Sequence, residues 1–342
     1  MIRGYSGAEN LTLEDDIEAC IIKLLNLIRY RTIGFGKCFG LLNTDEDPDE
    51  YIESIHKGLK VSNIQVALGT CNKGFYKMSM LNNSMVEARE KEFNKQKSSG
   101  VVQRADMLTS FMKKGLSGDD LKAENTLQII AGSDTTAGAL RGIMLYVVTN
   151  PRVYKTLQAE IDNAVASGKA PRAPDIIKSS QVKELKYLQA ILKESMRIFP
   201  PINNQLARDT PPGGDTVTID GQEVYLPGGI SIIPAFKSMH RNKSVYGEDA
   251  DVDVFRPERW LEETERLEAM KNDINLGFGH GRWLCLGKAI ALREMGIILF
   301  ELLRNFDWSL DNPEKPWNHA VLMGLHSISD MWVHVEERAE LQ

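Results

Sequence analysis

The run Phe278-Gly-His-Gly-Arg-Trp-Leu-Cys-Leu-Gly287 holds the most reactive group of the chain, the Cys285 thiol, among glycines and aromatic rings directly before an apolar helical segment. A cysteine at a helix N-terminus faces free backbone N–H groups and the positive end of the helix dipole, which favour the thiolate over the thiol. Gly281 and Gly287 permit sharp turns and allow a flat ligand to approach the backbone closely. Such a loop offers one anionic sulfur to a metal that the protein does not otherwise cage. Two other readings stand beside it. One is a buried free cysteine in a glycine-rich turn. The other is zinc, a weaker rival because His280 and Cys285 make one ligand pair and no second pair has suitable spacing.

A second group, Ala131-Gly-Ser-Asp-Thr-Thr136, falls in the middle of a long helical pattern. Gly132 costs a helix about 1 kcal/mol relative to alanine, and Ser, Asp and Thr compete for backbone hydrogen bonds. A helix that breaks its own propensity at mid-length is expected to do so at a site. There Gly132 opens a notch, and Asp134 with Thr135 can hold a water and pass protons inward. The alternative is that Ser133 or Thr135 caps a new helix and splits the segment. The third group is the (i, i+3) pair Glu194 and Arg197, followed by Ile198-Phe-Pro-Pro201 and later by Phe255-Arg-Pro-Glu-Arg-Trp260. The same spacing at Glu263/Arg266 and Glu301/Arg304 reads as solvated helix pairs, which contribute little.

These groups need elements to hold them. Apolar residues at helical spacing predict helices over residues 11–30, 119–149, 182–199 and 287–305, and Asn150-Pro151 reads as the cap and first residue of another. Gly34, Gly36 and Gly40 break the first helix into a loop. Residues 87–103 are polar and basic-rich and read as a mobile connection. Asp220-Gly221 between Thr216-Val-Thr-Ile219 and Gln222-Glu-Val-Tyr225 is a hairpin signal, because both turn positions want positive φ. Residues 228–234 suggest a further strand and residues 320–335 an edge pair. The expected fold is mainly α with a small β part, its elements too interleaved to divide, so residues 1–342 form one domain.

Composition narrows the function classes. The 342 residues carry 41 Lys plus Arg against 47 Asp plus Glu, a net charge of −6 that argues against a nucleic-acid binder. Hydrophobic residues at 42% and charged residues at 26% are those of an ordinary globular chain. Four cysteines, Cys20, Cys38, Cys71 and Cys285, are too few and too scattered for a disulfide framework and fit a reducing compartment. No run of about 18 apolar residues and no signal-peptide core occurs.

In this order, Ala131–Thr136, Glu194-Ser-Met-Arg197, Phe255-Arg-Pro-Glu-Arg259 and the Cys285 loop resemble the cytochrome P450 family, specifically its fungal branch of pisatin demethylase-like and benzoate hydroxylase-like members. The resemblance runs from about residue 25 to 335. It implies a P450 fold and a haem-thiolate monooxygenase acting on a lipophilic small molecule, in fungal secondary metabolism. It implies haem b with Cys285 as the thiolate ligand to its iron, and electrons from NADPH through a cytochrome P450 reductase docking near Arg282, Lys288 and Arg293. Asp134 and Thr135 would deliver protons to bound dioxygen, with Gly132 leaving room. Phe278, Gly281, Arg282, Trp283 and Gly287 would surround the cofactor, and Arg208 would contact a propionate. Glu194, Arg197 and Arg259 match the family's buried structural cluster.

Two departures stand out. The family loop places an arginine two residues before the cysteine, where this chain has Trp283, with Arg282 one place earlier. The indole N–H of Trp283 is then a substitute donor. The family's usual anchor and first helices and strands also cannot be placed, so the chain is expected to be the C-terminal two thirds of a longer enzyme. Membrane contact is then expected only through a segment the chain lacks: endoplasmic reticulum, cytosolic face, by resemblance, and soluble as written. A truncated non-catalytic fragment and a haem-thiolate isomerase or dehydratase are the competing readings; the Asp134-Thr135 pair weighs against the second. Residues 128–132, 202–206 and 322–326 remain as pocket-lining segments.

Overall fold

The computed structural model describes residues 73–98, 107–204, 206–248, 251–322 and 324–339. The helix expected over residues 11–30, its glycine loop and Cys20, Cys38 and Cys71 lie outside the described residues. Ten helices are described: α1 Lys73–Ser98, α2 Met107–Lys113, α3 Gly118–Val148, α4 Pro151–Ala166, α5 Ser179–Lys183, α6 Lys186–Ile198, α7 Phe236–Met239, α8 Lys243–Tyr246, α9 Leu267–Leu276 and α10 Lys288–Asn305. Short 3-10 turns span Pro257–Trp260 and Gly281–Trp283. Four antiparallel two-stranded ribbons complete the fold. β1 Arg208–Asp209 pairs with β4 Ser231–Ile232, β2 Asp215–Ile219 with β3 Gln222–Leu226, β5 Phe306–Leu310 with β8 Val333–Glu337, and β6 Asn318–Leu322 with β7 Leu325–Ser329.

The core is a helix-on-helix layer. Ile143, Met144 and Val147 of α3 pack with the stripe Val153, Leu157 and Ile161 of α4, with Leu188, Ile191 and Leu192 of α6, and with Met295, Leu299, Phe300 and Leu303 of α10. Their i, i+3, i+4 spacing puts one apolar face of each helix inward. Gly142 lets α3 approach the chain after α6, since a Cβ there would lie 2.6 Å from the Phe199 ring.

Several expectations change. The polar stretch from residue 87 is helical to Ser98, because Val86 and Phe93 point into a small cluster with Phe111, Met112 and Leu121. Residues 182–199 are two helices, since Glu160 of α4 accepts the Tyr187 and Leu188 N–H groups, both at 2.8 Å, and so starts a new helix there. Asn150 precedes α4, but its side chain donates back to the Tyr146 carbonyl at 2.7 Å and does not cap. The tail expected as one strand pair is a hairpin, β6–β7, followed by β8, which returns to β5. The predicted strand near residue 231 has only two residues, and its partner β1 carried no pattern of its own.

Glu301/Arg304 is not a solvated pair. Both are buried, and Glu301 also accepts the Ile177 N–H at 2.9 Å and Asn305 Nδ2 at 3.2 Å, while Arg304 donates to the Pro171 and Asp175 carbonyls. Burial pushes the Glu301 carboxyl above its usual range, with the Arg304 charge opposing. Glu263 and Arg266 are exposed, as expected.

The expected cluster around Glu194 forms in full. Arg197 grips the carboxylate with two bonds, Nε at 2.9 Å and Nη2 at 2.8 Å, and Arg259 Nε, Trp260 Nε1 and the Arg256 N–H add bonds of 3.1, 2.9 and 2.8 Å. The remaining guanidinium hydrogens go to the carbonyls of His240, Val252, Val254 and Asp251. Removing one partner strands a buried charge, so Glu194→Ala is expected to cost about 3–5 kcal/mol. Urea unfolding checks this against Glu263→Ala, an exposed member of an equally spaced pair, which is expected to leave the midpoint in place.

Candidate functional site

The Cys285 loop is an extension of α9. Beyond Leu276 the chain keeps turning, with the N–H groups of Gly277, Phe278 and Gly279 donating to Ile274, Asn275 and Leu276 at 3.2, 3.0 and 2.8 Å. Gly279 then reverses direction at φ +79°, and a Cβ there would collide with the Trp283 carbonyl. The Gly281–Trp283 turn follows, and the loop closes where the Cys285 N–H donates to the Phe278 carbonyl at 2.7 Å. Lys288, first residue of α10, pins the base: its ammonium bonds Asn275 at 2.7 Å and lies 5.3 Å above the Phe278 ring. The thiol is exposed, which removes the buried-cysteine reading. Among the described residues no three His, Cys, Asp or Glu side chains come together as metal ligands.

The glycines divide differently from expectation. Gly281 has φ +59° and open space around it, as a turn glycine should. Gly287 is right-handed helical at φ −82°, a conformation any residue adopts. Gly279, which composition alone did not single out, is the position where both the backbone angle and the close approach demand glycine.

Arg208 arrives at this loop from β1. Its guanidinium sits 4.7 Å over the Trp283 ring, and Arg282 lies 5.5 Å over the same ring. Two cations therefore flank one exposed indole beside the thiol. Nη1 of Arg208 donates to the carbonyls of Leu206 and Ala207 at 3.0 and 2.7 Å, which leaves other guanidinium donors for an anionic ligand. Behind the loop a cleft of about 640 Å³ is lined by Cys285, Arg282, Lys288 and Arg293 together with Lys183 and Val182 of α5.

The second group lies on one unbroken helix, α3, so neither Ser133 nor Thr135 starts a new one. Thr135 Oγ1 donates to the Ala131 carbonyl at 2.8 Å, the back-bonding that lets a hydroxyl residue sit mid-helix. Asp134 is half-buried, and a Cβ on exposed Gly132 would meet nothing within 4 Å. Two turns on, burial lowers the Arg141 guanidinium from its ordinary value while the Asp134 charge opposes this.

Two of the three expected lining segments meet. Ile202 bridges Leu325, the Asn203 N–H donates to Gly324 at 2.8 Å, and the His326 carbonyl lies 3.8 Å from where Gly138 of α3 would carry a Cβ. Sequence reading missed what holds them: an aromatic stack of Trp317, His319, His326 and Phe199. The two imidazoles lie 4.8 Å apart, nearly parallel, joined through His319 Nε2 and His326 Nδ1 at 2.6 Å. Phe199 packs 4.3 Å from His326. Burial and the neighbouring His319 push His326 down to about 4, so the pair is neutral at pH 7. Cross-strand histidines at positions 319 and 326 carried no signal until the β6–β7 register was known.

The family model for cytochrome P450 matches residues 30–330. The cytochrome P450 monooxygenase ABA1 of Pyricularia oryzae is 33% identical over 98% of this chain and 72% of that protein. The cytochrome P450 monooxygenase ACRTS1 of Alternaria alternata is 33% identical over 85% of this chain and 81% of that protein. Pisatin demethylase of Fusarium vanettenii is 37% identical over 56% of this chain and 35% of that protein. With an exposed thiol presented by a glycine-pinned loop and a family match across most of its length, the chain belongs to the cytochrome P450 family of haem-thiolate monooxygenases.

Proposed function

We propose that Cys285 holds a haem by its thiolate and that the chain oxidises a lipophilic natural product at the expense of dioxygen and NADPH, with electrons passed through a reductase. The observation that carries this reading is the exposed Cys285 thiol on a loop closed by its own N–H at the Phe278 carbonyl, with two guanidinium groups beside it. These residues fit a haem: one sulfur ligand, and two cations for two propionates. The bound group supplies dioxygen activation, so that one oxygen atom enters the substrate and the other, with two electrons and two protons, leaves as water.

The chain's own residues supply the rest. Trp283 orients Arg208 and Arg282 by stacking, which holds their charges near the propionates and accounts for an indole where the family commonly has an arginine. Gly132 leaves the α3 surface open. Asp134 draws protons from solvent, and Thr135, its own proton held at the Ala131 carbonyl, offers its Oγ1 lone pairs as the acceptor that orients a proton-carrying water. Arg282, Lys288 and Lys183 give the cleft behind the loop a positive rim, suited to an acidic reductase, whereas Nε and Nη1 of Arg293 are buried. The named relatives are fungal, which supports a place in secondary metabolism of that kind.

Replacing Cys285 by alanine is expected to abolish the thiolate-type band of the reduced carbon monoxide complex; an unchanged spectrum would remove the assignment. Asp134→Asn is expected to lower product formed per NADPH consumed, with turnover falling about 100-fold as a proton donor is lost. Full coupling in that variant would exclude the relay. Reversing charge at Lys183, exposed on that rim and outside the Cys285 loop, is expected to slow reduction by the reductase and to flatten its dependence on salt, read by stopped-flow absorbance.

A further inference from the structure

Asp273, on α9, lies outside every motif considered so far, yet it is a buried carboxylate with two buried partners. Its Oδ2 is 2.8 Å from His240 Nδ1 and accepts the Tyr246 hydroxyl at 2.8 Å. Burial first, and the Asp273 charge second, push the Tyr246 hydroxyl above its ordinary range, so it stays a donor. Both partners also belong to the Glu194 cluster. The His240 carbonyl accepts Arg197 Nη1 at 3.1 Å, and the Arg197 guanidinium lies 5.3 Å over the Tyr246 ring, which meets Trp260 edge-on.

In the other direction Asp273 leads to the thiol. It is three residues before the end of α9, whose turn hydrogen bonds continue to Gly279 and whose extension ends at Phe278, the residue that receives the Cys285 N–H. The far nitrogen of His240 lies against Gly277, 3.9 Å from where a Cβ would stand. Helix α9 and the loop base are therefore one continuous run of hydrogen-bonded turns, and Asp273 is where that run is tied to the charged core.

We propose that Asp273, His240 and Tyr246 form a positioning relay that fixes the height and angle of the Cys285 loop relative to the Glu194 cluster, and so the strength of sulfur ligation. The inference rests on Cys285 as the haem ligand. None of the three touches the cofactor; they act through α9. A rigid tie of this kind matters because a thiolate on an exposed loop is easily protonated or displaced if the loop swings.

The test uses the full-length haem-loaded chain and three variants: Asp273→Asn, Tyr246→Phe, and Tyr187→Phe. The last is a control that removes a comparable hydroxyl from the core, the one donating to Glu258 at 2.7 Å, with no link to α9. Three quantities are read: thermal unfolding by circular dichroism, the thiolate-ligated fraction of the reduced carbon monoxide complex, and haem loss to apomyoglobin. Asp273→Asn is expected to lose haem about 10-fold faster, the usual scale for a support one step behind a metal ligand, and to gain a thiol-ligated band. Tyr246→Phe should move the same way by less, and Tyr187→Phe should alter unfolding alone. Wild-type ligation and haem loss in Tyr246→Phe and Asp273→Asn overturn the relay, as does an equal shift in Tyr187→Phe. Should Asp273→Asn not fold, Tyr246→Phe decides, since it deletes one hydrogen bond and keeps the ring under Arg197. A wild-type chain without any thiolate band refutes the haem reading itself, a result distinct from a relay that fails.

Discussion

A carboxylate with no exposed surface is tolerable only if every lone pair is occupied, and Glu194 meets that condition with five donors from four residues. The consequence is geometric. Arg197 is on α6, Arg259 and Trp260 are on the Pro257–Trp260 turn, and the carbonyls that complete the two guanidinia come from residues 240 and 251–254. An irregular stretch with little secondary structure is thus locked to the central helix layer by charge and hydrogen bonds, beside the apolar cluster of Ala190, Tyr246, Trp260, Met270 and Ile274. Through His240 and Tyr246 that lock reaches α9, and through α9 it reaches the thiol loop.

The candidate residues rest on three supports that lie far apart along the chain. The Cys285 loop hangs between α9 and α10, stiffened by Gly279 and by the Lys288 bond to Asn275. Asp134 and Thr135 sit on α3, which the core holds against α10 and α6. Arg208 enters from a two-residue strand that exists because Ser231 and Ile232 offer it a partner.

The helices were legible because their apolar residues repeat at 3.6 positions, and the β2–β3 hairpin because Asp220 and Gly221 accept positive φ, observed at 50° and 77°. The α5/α6 break was not legible, since its cause is a carboxylate on α4 that caps from outside. Nor was the burial of Glu301 and Arg304: their spacing is that of any surface pair, and only the packing of α10 decides which side faces water. The helical state of residues 87–98 follows from two apolar side chains whose partners lie on other helices.

What the sequence determined by itself were the local patterns on which the proposed chemistry rests. Cys285 among glycines before a helix, Asp134-Thr135 at mid-helix and Glu194/Arg197 with Arg259 are local patterns, and local patterns follow from short-range sterics and hydrogen bonding. Tertiary structure alone decided which groups act together. Arg208 on Trp283, His319 on His326, and Asp273 between His240 and Tyr246 join residues 75, 7 and 33 or 27 positions apart. Such meetings depend on strand register and helix packing, which arise from burying the apolar core as a whole, and no spacing rule along the chain encodes them.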